Sequence, residues 1–371
     1  MIGISGAGIG GLSAAIALRS LGLDVMVYEQ ASQFARVGAD VNLTPNAVKA
    51  LDGLGVGEAL RETAAQPTYR ISRTWDSGEE TSRLEMAQAA VRRYGSPQLT
   101  MHRADLLGAL ERAVPDEVIR FSKRLVGVSE TEDGLTLGFA DGSTEQVSVL
   151  IGADGIHSAV RPALFDPEQP TFTGVVAYRA VVPADRLALP NLDAFTKWWG
   201  PNPETQIVTF PLNRGRDIFV FATTPQADWL DESWTAPGSV EELRAAYRDF
   251  HPEARALLDA CDEVLKSALY IRDPMPAWSV GRSTLLGDAC HPMMPFMAQG
   301  AGMAIEDAVV LARQLAASTS NDPSVTLKRY EASRIERTSR VQIGSRGNTW
   351  LKESGDADWL YGYDAWTVPL T

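Results

Sequence analysis

The sequence predicts an α/β fold in which a Rossmann-like nucleotide-binding domain is interleaved with a second domain built on an antiparallel sheet. Three observations predict this fold. Residues 2–28 alternate an apolar run, a glycine-rich turn, an amphipathic stretch and a second apolar run. Residues 172–225 hold short β-rich runs separated by Pro, Asn and Gly, with no helical pattern between them. Residues 283–317 return to the pattern of strand, turn and helix.

The first unit has the layout of a βαβ motif. Residues 2–5 are predicted to form a buried strand, residues 6–11 a turn and residues 12–21 a helix. A second strand over residues 25–28 then ends at Glu29. This length agrees with the ~30 residues that a βαβ unit requires.

The turn carries the spacing Gly6-x-Gly8-x-x-Gly11. In a dinucleotide site the first glycine makes the tight turn, the second admits the pyrophosphate, and the third lets the helix pack on the strand. Glu29 would accept hydrogen bonds from the ribose hydroxyls. A purely structural βα turn is the alternative, and the unit alone does not separate FAD from NAD.

The remaining elements follow from hydrophobic periodicity and turn residues. Further helices are predicted over residues 46–54, 103–113, 239–260, 303–317 and 324–348. Further strands are predicted over residues 125–131, 134–140, 147–151, 175–182, 195–199, 206–210, 217–223 and 283–286.

The segment 283–308 is the densest in chemistry. An apolar run ends on Gly287-Asp288, a proline-rich loop follows, and Gly300 and Gly302 open an amphipathic helix. A helix start offers unpaired N–H groups and partial positive charge, and an aspartate can accept hydrogen bonds from hydroxyls. The sequence therefore predicts a second part of the ligand site here.

Composition limits the function classes. The formal net charge of −13 and the pI of about 4.9 argue against nucleic acid or an anionic membrane as partner, although a local basic pocket remains possible. The two cysteines, Cys261 and Cys290, are predicted to be reduced thiols of a cytoplasmic protein, and no spacing suggests a metal. The apolar N-terminus lacks the basic region of a signal peptide, and no stretch is long enough for a membrane span.

The resemblance to a known family rests on several segments. Residues 152–161, GADGIHSAVR, resemble the Asp-Gly motif of the single-component FAD-dependent aromatic monooxygenases. Residues 287–292, GDACHP, with Gly-Ala-Gly at 300–302 and Glu-Asp-Ala at 306–308, resemble their Gly-Asp motif. Residues 102–106, HRADL, match the family's flavin-contacting arginine and helix start.

This resemblance implies a p-hydroxybenzoate hydroxylase-like fold with FAD as cofactor and NADH or NADPH as a transient electron donor. The family hydroxylates a small aromatic or heteroaromatic substrate with O2 through a flavin hydroperoxide, as a monomer or homodimer. The implied domain limits are 1–68, 100–170 and 275–350 for FAD; 69–99 and 171–274 for the substrate; and 351–371 for an aromatic tail packed on the body.

The family's motifs assign the cofactor residues position by position. Asp154 would contact the cofactor region, with Arg161 bonded to it or to a phosphate; a structural Asp–Arg pair is the alternative. Arg36 would lie near the adenosine half or an NAD(P)H phosphate, unless it is a solvated surface arginine. The predicted cofactor residues are Gly6, Gly8, Gly11, Glu29, Arg36, Arg103, Asp154, Asp288, Gly300, Ala301 and Gly302.

On the substrate side, the most similar branch of the family acts on hydroxypyridine carboxylates and carries histidines where Asn42 and Phe296 stand. A histidine near residues 205–206 and a tyrosine at Thr209 are also replaced. Pro292 would lie beside the face of the flavin that reacts with oxygen. The predicted catalytic residues are therefore Pro292, Asn42, Phe296, Tyr178 and Thr209, with Met294, Met297 and Phe210 as further pocket residues.

No histidine is left at these positions to deprotonate a ring hydroxyl. The remaining base candidates are Tyr178, His102 and water, because His291 belongs to the flavin loop in the family. Trp198 and Trp199 would stack on a ring or, more simply, fill the core. Two other classes share the fold: a flavin dehydrogenase or reductase without oxygen insertion, and a flavin-bound redox sensor without turnover.

Overall fold

The computed structural model describes residues 1–34, 40–229, 236–350 and 356–371. The strands in these ranges are β1 (Ile2–Ser5), β2 (Val25–Tyr28), β3 (Val41–Leu43), β4 (Tyr69–Thr74), β5 (Glu80–Glu85), β6 (Leu99–Met101), β7 (Ile119–Arg120), β8 (Leu125–Glu130), β9 (Leu135–Phe139), β10 (Thr144–Val147), β11 (Val149–Gly152), β12 (Thr171–Pro183), β13 (Phe195–Trp199), β14 (Gln206–Leu212), β15 (Asp217–Pro225), β16 (Pro237–Gly238), β17 (Val264–Ile271), β18 (Ser279–Val280) and β19 (Ser283–Leu285). The helices are α1 (Ile9–Ser20), α2 (Pro45–Gly53), α3 (Gly57–Thr63), α4 (Ala87–Tyr94), α5 (Arg103–Arg112), α6 (Val160–Leu164), α7 (Val240–Ala246), α8 (Pro252–Asp259), α9 (Gly300–Ala317), α10 (Pro323–Arg346) and α11 (Asp358–Tyr361). None of the described helices has both the length and the apolar character needed to cross a membrane.

The first sheet brings distant turns together. Its six strands lie in the order β18-β19-β11-β1-β2-β7, and β1, β2, β7, β11 and β19 run parallel. Ser5 at the end of β1 pairs with Gly152, and Gly152 pairs with Leu285. The turns after these three strands therefore share one edge of the sheet, where open α/β folds bind their ligands.

The second sheet has eight strands in the order β16-β17-β12-β15-β14-β13-β4-β5. Its strand pairs are antiparallel except for the parallel pair of β13 and β4. The strands β4 and β5 thus join a sheet that is otherwise built from residues 171–271. This order of strands agrees with the interleaved domains that the sequence predicts. The predicted domain limits stay a proposal.

The two faces of this sheet have different neighbours, because successive side chains of a strand point to opposite sides. Val176 and Tyr178 of β12 pack with Leu243 and Leu257 of α7 and α8, and we call this the helix face. Val175 and Ala177 lie in a separate cluster with Met294, from the loop before α9. We call this second side the loop face.

Several predicted elements are confirmed, with shifted ends. The helix α1 starts at Ile9, three residues before its predicted start, and α9 starts at Gly300. The helical stretch predicted over 239–260 consists of two separate helices, α7 and α8. Pro252 explains the break, because a proline disfavours helical geometry at the preceding residue, here His251.

The C-terminal residues 356–371 contact the body of the protein. The Trp366 indole donates a hydrogen bond to the Ala50 carbonyl over 3.0 Å. Arg313 on α9 donates to the Ala365 carbonyl at 2.7 Å. Both contacts place this segment against the helices α2 and α9.

Candidate active site

The glycine-rich turn after β1 has one glycine that its own packing does not require. A Cβ on Gly6 would lie 2.6 Å from the Ala153 carbonyl oxygen, and its φ is +99°. A Cβ on Gly11 would lie 2.0 Å from the Gly6 carbonyl oxygen. A Cβ on Gly8 would meet no described atom within 4 Å. Gly8 therefore faces open space at the start of α1, where a pyrophosphate can approach the backbone.

Glu29 lies beside the same turn. Its carboxylate accepts hydrogen bonds from the N–H groups of Ala7 and Ala31, each at 2.8 Å. This holds an acidic group at the end of β2, where the ribose of a bound dinucleotide is recognised. Arg36, which is predicted to contact the adenosine half, lies outside the described residues.

The turn after β19 places an acid beside the start of α9. Gly287 has a φ of +64°, and a Cβ on it would lie 2.9 Å from the Ala304 Cβ. Asp288 is exposed, whereas its neighbours Gly287 and Ala289 are buried. Its carboxylate is accessible to ligand hydroxyls.

The helix α9 begins at Gly300, with Ala301 and Gly302 in its first turn. A side chain on Gly302 would come within 3.3 Å of the Ala47 Cβ, so α9 packs closely against α2 at this point. The N–H groups of a first helical turn have no acceptor within the helix and carry partial positive charge. This helix start can therefore stabilise an anionic ring or a carbonyl of a bound cofactor.

We expect an Asp288→Ala variant to bind FAD about 10- to 100-fold more weakly, because it loses charge-assisted hydrogen bonds to cofactor hydroxyls. Its unfolding free energy should change little, since the side chain is exposed. The measurement is FAD affinity of the apoprotein by fluorescence titration, with Asp262→Ala as an exposed-aspartate control. Full FAD affinity in Asp288→Ala would refute the assignment.

The start of α9 is held by a buried ionic network. Arg334 on α10 contacts Glu306 at 2.8 Å and Asp307 at 2.7 Å, and all three side chains are fully buried. Arg337 adds a second ion pair to Glu306 at 2.8 Å. Burial alone raises the pKa of both carboxyls, but the neighbouring cations hold each pKa below its usual value.

The same network reaches the loop after Gly287. His291 lies within 2.5 Å of Asp307 through its Nε2 atom and is 1% exposed. The Asp307 carboxylate also accepts a hydrogen bond from the Gly287 N–H at 3.2 Å. Cys290, His291 and Asp307 place their ligand atoms within 4.8 Å of one another. Because both Asp307 oxygens already have partners, we interpret the cluster as part of the ionic network rather than as a metal site.

Asp154, one of the predicted cofactor residues, forms its hydrogen bonds within its own loop. Its carboxylate accepts hydrogen bonds from the Ser158 hydroxyl at 2.5 Å and from the N–H groups of Ala159 and Val160 at 2.7 and 3.1 Å. Both oxygens therefore stabilise the start of α6, and burial raises the pKa of this carboxyl. Asp154 therefore has a structural role at the start of α6, and its contact with the cofactor region stays a prediction.

Arg161 does not pair with Asp154 either. It forms an ion pair with Glu168 at 2.6 Å and donates a hydrogen bond to the Ala289 carbonyl at 3.2 Å. Arg161 thereby ties the Asp-Gly segment to the Gly-Asp segment. Arg103, by contrast, is exposed at the first position of α5 and remains available to a ligand.

The predicted substrate residues divide between the two faces of the large sheet. Met294 packs on the loop face, and Phe296 packs partly buried against the same cluster. Asn42 on β3 accepts a hydrogen bond from Gln98 at 2.8 Å. Pro292 is buried, and its carbonyl accepts a hydrogen bond from Gln342 at 3.0 Å.

The predictions for Tyr178 and Thr209 are wrong. Tyr178 belongs to the cluster beneath α7 and α8, on the helix face. Thr209 pairs with Val220, which belongs to that same cluster, so it also points to the helix face. The neighbouring position Phe210 faces the other way, with Phe195 and Phe219. Strand alternation is the physical reason, because an error of one residue moves a side chain across the sheet.

Sequence reasoning assigned no role to Lys197, a polar residue on the loop face. Lys197 pairs with Val208, and Trp199 pairs with Gln206. Because Val208 packs with Phe210, both pairs lie on the loop face. Trp198 lies on the helix face as buried core, as the simpler interpretation of this tryptophan pair predicts. The alternation from Phe210 back along β14 was the signal that could have found these residues.

Asp40, just before β3, is a further group that the sequence did not single out. Burial raises the pKa of Asp40 to about 7, although Arg179 and Arg103 act in the opposite direction. Between pH ~4 and ~7 the Asp40 carboxyl is therefore protonated more in the folded protein than in the unfolded chain. Its contribution to the free energy of unfolding falls as the pH rises through that window.

We expect an Asp40→Asn variant of the apoprotein to be more stable than the wild type at pH 8, by up to a few kcal/mol. The difference should shrink as the pH falls from ~7 towards ~4, because the folded-state carboxyl becomes protonated, and it should level off below pH ~4, where the wild-type carboxyl is protonated in both states. Urea unfolding of both proteins at several pH values measures it. A stability difference that does not change with pH would contradict the raised pKa.

Comparisons with known proteins agree with this geometry. The family described as "FAD binding domain" matches residues 1–343. The chain is 42% identical to a 6-hydroxynicotinate 3-monooxygenase of Bordetella bronchiseptica over 100% of this chain and 96% of that protein.

The fold is also similar to that of solved structures, of which two are described here. A salicylate hydroxylase substrate complex has a TM-score of 0.85, 27% identity, and coverage of 98% and 95% of the two chains. Klebsiella pneumoniae HpxO complexed with FAD and uric acid has a TM-score of 0.83, 29% identity, and coverage of 97% and 92%.

The residues present fit FAD, since Gly8 leaves open space at a helix start and the Asp288 carboxylate is exposed beside a second one. The fold is that of the p-hydroxybenzoate hydroxylase-like flavoproteins. The chain belongs to the family of FAD-dependent aromatic-ring monooxygenases that carry this FAD-binding domain.

Proposed function

We propose that this protein hydroxylates a small hydroxylated aromatic or pyridine-type carboxylic acid, with NADH or NADPH and O2 as co-substrates. The observation that carries the proposal is the contact between the flavin-side loop and the loop face of the large sheet. Met294 and Phe296 from that loop pack against Val175, Ala177 and Leu269. An apolar environment therefore borders the loop that follows Asp288 at the proposed cofactor site.

The comparisons support the same chemistry. The names of the relatives include a 6-hydroxynicotinate 3-monooxygenase and a salicylate hydroxylase, which both act on hydroxylated aromatic acids. They favour oxygen insertion over a dehydrogenase or sensor of the same fold. Bound FAD would supply the redox chemistry, by accepting a hydride from the nicotinamide and activating O2.

In this proposal the chain's own residues bind and position the reactants. The backbone at Gly8 and the start of α9 bind the anionic parts of the cofactor, and Asp288 binds its hydroxyls. The loop from Pro292 to Phe296, in which Pro292 and Met294 are buried, would exclude water from the reacting ring, which strengthens the electrostatic interactions inside the site. Pro292 stays proposed as the residue beside the oxygen-reacting face.

The substrate's ring hydroxyl has no histidine partner at Asn42 or Phe296. Tyr178 is removed from the base candidates by its position on the helix face. We propose that Asn42 and Gln98 form hydrogen bonds to the substrate or to water molecules around it. The ring proton is then accepted by His102 or by water, or the substrate enters already ionised.

The test is a screen of hydroxybenzoic and hydroxypyridine carboxylic acids with the FAD-loaded protein, following NADH or NADPH loss and peroxide release together. A true substrate should stimulate nicotinamide oxidation and release much less peroxide than nicotinamide consumed. An acid that stimulates oxidation with equal peroxide is only an uncoupling effector. The proposal fails if no acid stimulates oxidation.

The cytoplasmic location and a monomer or homodimer remain parts of the same proposal, and size-exclusion chromatography tests the oligomeric state.

A further inference from the structure

A buried arginine lies on the loop face of the large sheet. Arg70 is 9% exposed, although arginine is almost never buried unless it is paired. It pairs with Phe195 across the strands β4 and β13, and its guanidinium lies 5.1 Å from the centre of the Phe195 ring. Phe195 in turn stacks on Phe210, with the two ring centres 5.4 Å apart. A cation therefore stands at the end of a row of aromatic rings.

No carboxylate compensates this cation in the part of the chain that the structure describes. The Arg70 Nη2 atom donates a hydrogen bond to the Trp350 carbonyl at 3.3 Å, and the Nε atom has no partner among the described residues. Burial lowers the pKa of Arg70, and the phenol of Tyr361 is the described group that opposes this shift. Arg161 and Arg334 are buried to a similar degree, and each of them forms an ion pair with a carboxylate.

The surroundings of Arg70 adjoin the flavin-side loop from two directions. Trp350, whose carbonyl contacts Arg70, packs in one cluster with Met297 of that loop. On the sheet, Phe221 packs against the cluster of the aromatic row and also against the cluster that contains Met294. The unpaired guanidinium therefore lies beside the region where the substrate ring is proposed to bind.

We propose that Arg70 is the specificity-determining residue that binds the carboxylate of the aromatic substrate. This inference rests on the proposed function, because it names the group of the substrate that the site selects. A carboxylate at the Nε–H edge of the guanidinium would accept two parallel charge-assisted hydrogen bonds. It would replace the bond to the Trp350 carbonyl, which is long for a hydrogen bond at 3.3 Å. The substrate ring would then extend along the aromatic row towards the flavin-side loop.

The charge explains why an anion should be preferred to its neutral analogue. A buried cation is costly to desolvate, and an anion of matching geometry offsets part of that cost. A carboxamide of the same shape leaves the cost in place. The site should therefore separate an acid from its amide by much more than their difference in size.

The experiment uses the FAD-loaded enzyme, its best acid from the screen and the primary carboxamide of that acid. Binding is measured from the change in flavin absorbance. An Arg70→Met variant should bind the acid about 100-fold more weakly and the amide less than about threefold differently. An Arg70→Lys variant keeps the charge without the planar fork, so its loss for the acid should be smaller, about 10-fold.

The matched control is Arg73→Met, on the same strand but on the helix face. Arg73 lies 4.3 Å from the centre of the Trp198 ring and pairs with Glu253 at 2.5 Å. It is therefore an arginine over an aromatic ring that already has its carboxylate. The preference of Arg73→Met for the acid over the amide should equal that of the wild type.

Urea unfolding of the apoproteins adds a measurement that needs no ligand. Arg70→Met removes a buried charge that has no carboxylate partner among the described residues, so its urea midpoint should be at least as high as that of the wild type. A clearly lower midpoint would mean that Arg70 holds the fold, and it would overturn the inference.

Two binding results would also overturn it. Equal losses for acid and amide in Arg70→Met would mean a structural arginine, and an unchanged acid affinity would mean that the carboxylate binds elsewhere. In both cases a wild-type enzyme that oxidises nicotinamide with the acid would show that the proposed function stands. If the FAD-loaded wild type binds no aromatic acid, the proposed function has failed and the inference fails with it.

Discussion

A Gly8→Val variant is expected to fold normally and to lose its FAD. The backbone at Gly8 is extended, with φ −74° and ψ −174°, so a β-branched residue can adopt it without strain. No described atom lies within 4 Å of the added Cβ. The side chain would instead occupy the space that a pyrophosphate needs. Losing two hydrogen bonds to a charged phosphate costs about 3–6 kcal/mol, or more than 100-fold in affinity.

The comparison with Gly11→Val separates binding from folding. At Gly11 the added Cβ would lie 2.0 Å from the Gly6 carbonyl oxygen, so this variant should lose stability as well as FAD. The measurements are the FAD content of purified protein and the thermal unfolding of each apoprotein. If Gly8→Val retains one FAD per chain, the open space at Gly8 does not hold the cofactor.

An Arg334→Met variant is expected to have the largest effect on stability. Arg334 is fully buried and bridges Glu306 and Asp307, which are also fully buried. Removing it leaves two carboxylates with less charge compensation in the interior, which costs about 3–5 kcal/mol. We expect a large drop in the urea midpoint or a failure to accumulate folded protein. FAD affinity should fall too, because Asp307 holds the Gly287 N–H and Glu306 lies on α9.

The acid side of the stability profile gives an independent readout of this network. The pKa values of Glu306 and Asp307 are lowered in the folded state. Such carboxyls contribute stability above their unfolded pKa of about 4, and this stability is lost as the pH falls below it. In Arg334→Met this acid-dependent loss should be smaller. As a control, Arg186→Met removes an exposed pair with Asp262 and should change stability very little. A comparable effect of both substitutions would contradict the importance of the buried network.

The sequence was informative where residue type and local conformation are linked. Glycine is predictable at Gly6, Gly8 and Gly11. These positions need, in that order, a positive φ, close approach of the pyrophosphate to the backbone, and close packing of the helix on the strand. Gly287 and the helix start at Gly300 follow from the same kind of signal. The sheet edge that unites these turns follows from the order of parallel strands, which the βαβ pattern indicates.

The sequence was least informative about the direction of side chains. Thr209 and Phe210 differ by one position, and only the pairing of β14 with β13 and β15 decides which of them faces the loop. Tyr178 fails for the same reason on β12. Asp154 shows a different limit, since an aspartate after a strand can bind a ligand or cap the next helix, and both uses have the same local pattern.

Lys197 and Asn348 illustrate long-range assembly. They are 151 positions apart in the chain and meet only because the end of α10 returns to the antiparallel sheet. No periodicity or motif connects them. Their pairing, like that of Asn46 with Glu306 at 2.7 Å, is information that only the folded chain contains.

The most direct test of the central claim is oxygen incorporation by the FAD-loaded enzyme. The reaction is run with NADH or NADPH and an aromatic acid from the screen under ¹⁸O₂, and the product is analysed by mass spectrometry. The account predicts one ¹⁸O atom in the product for each coupled nicotinamide oxidised. An oxidised product that carries no ¹⁸O would contradict it, because the protein would then be a dehydrogenase built on the same fold.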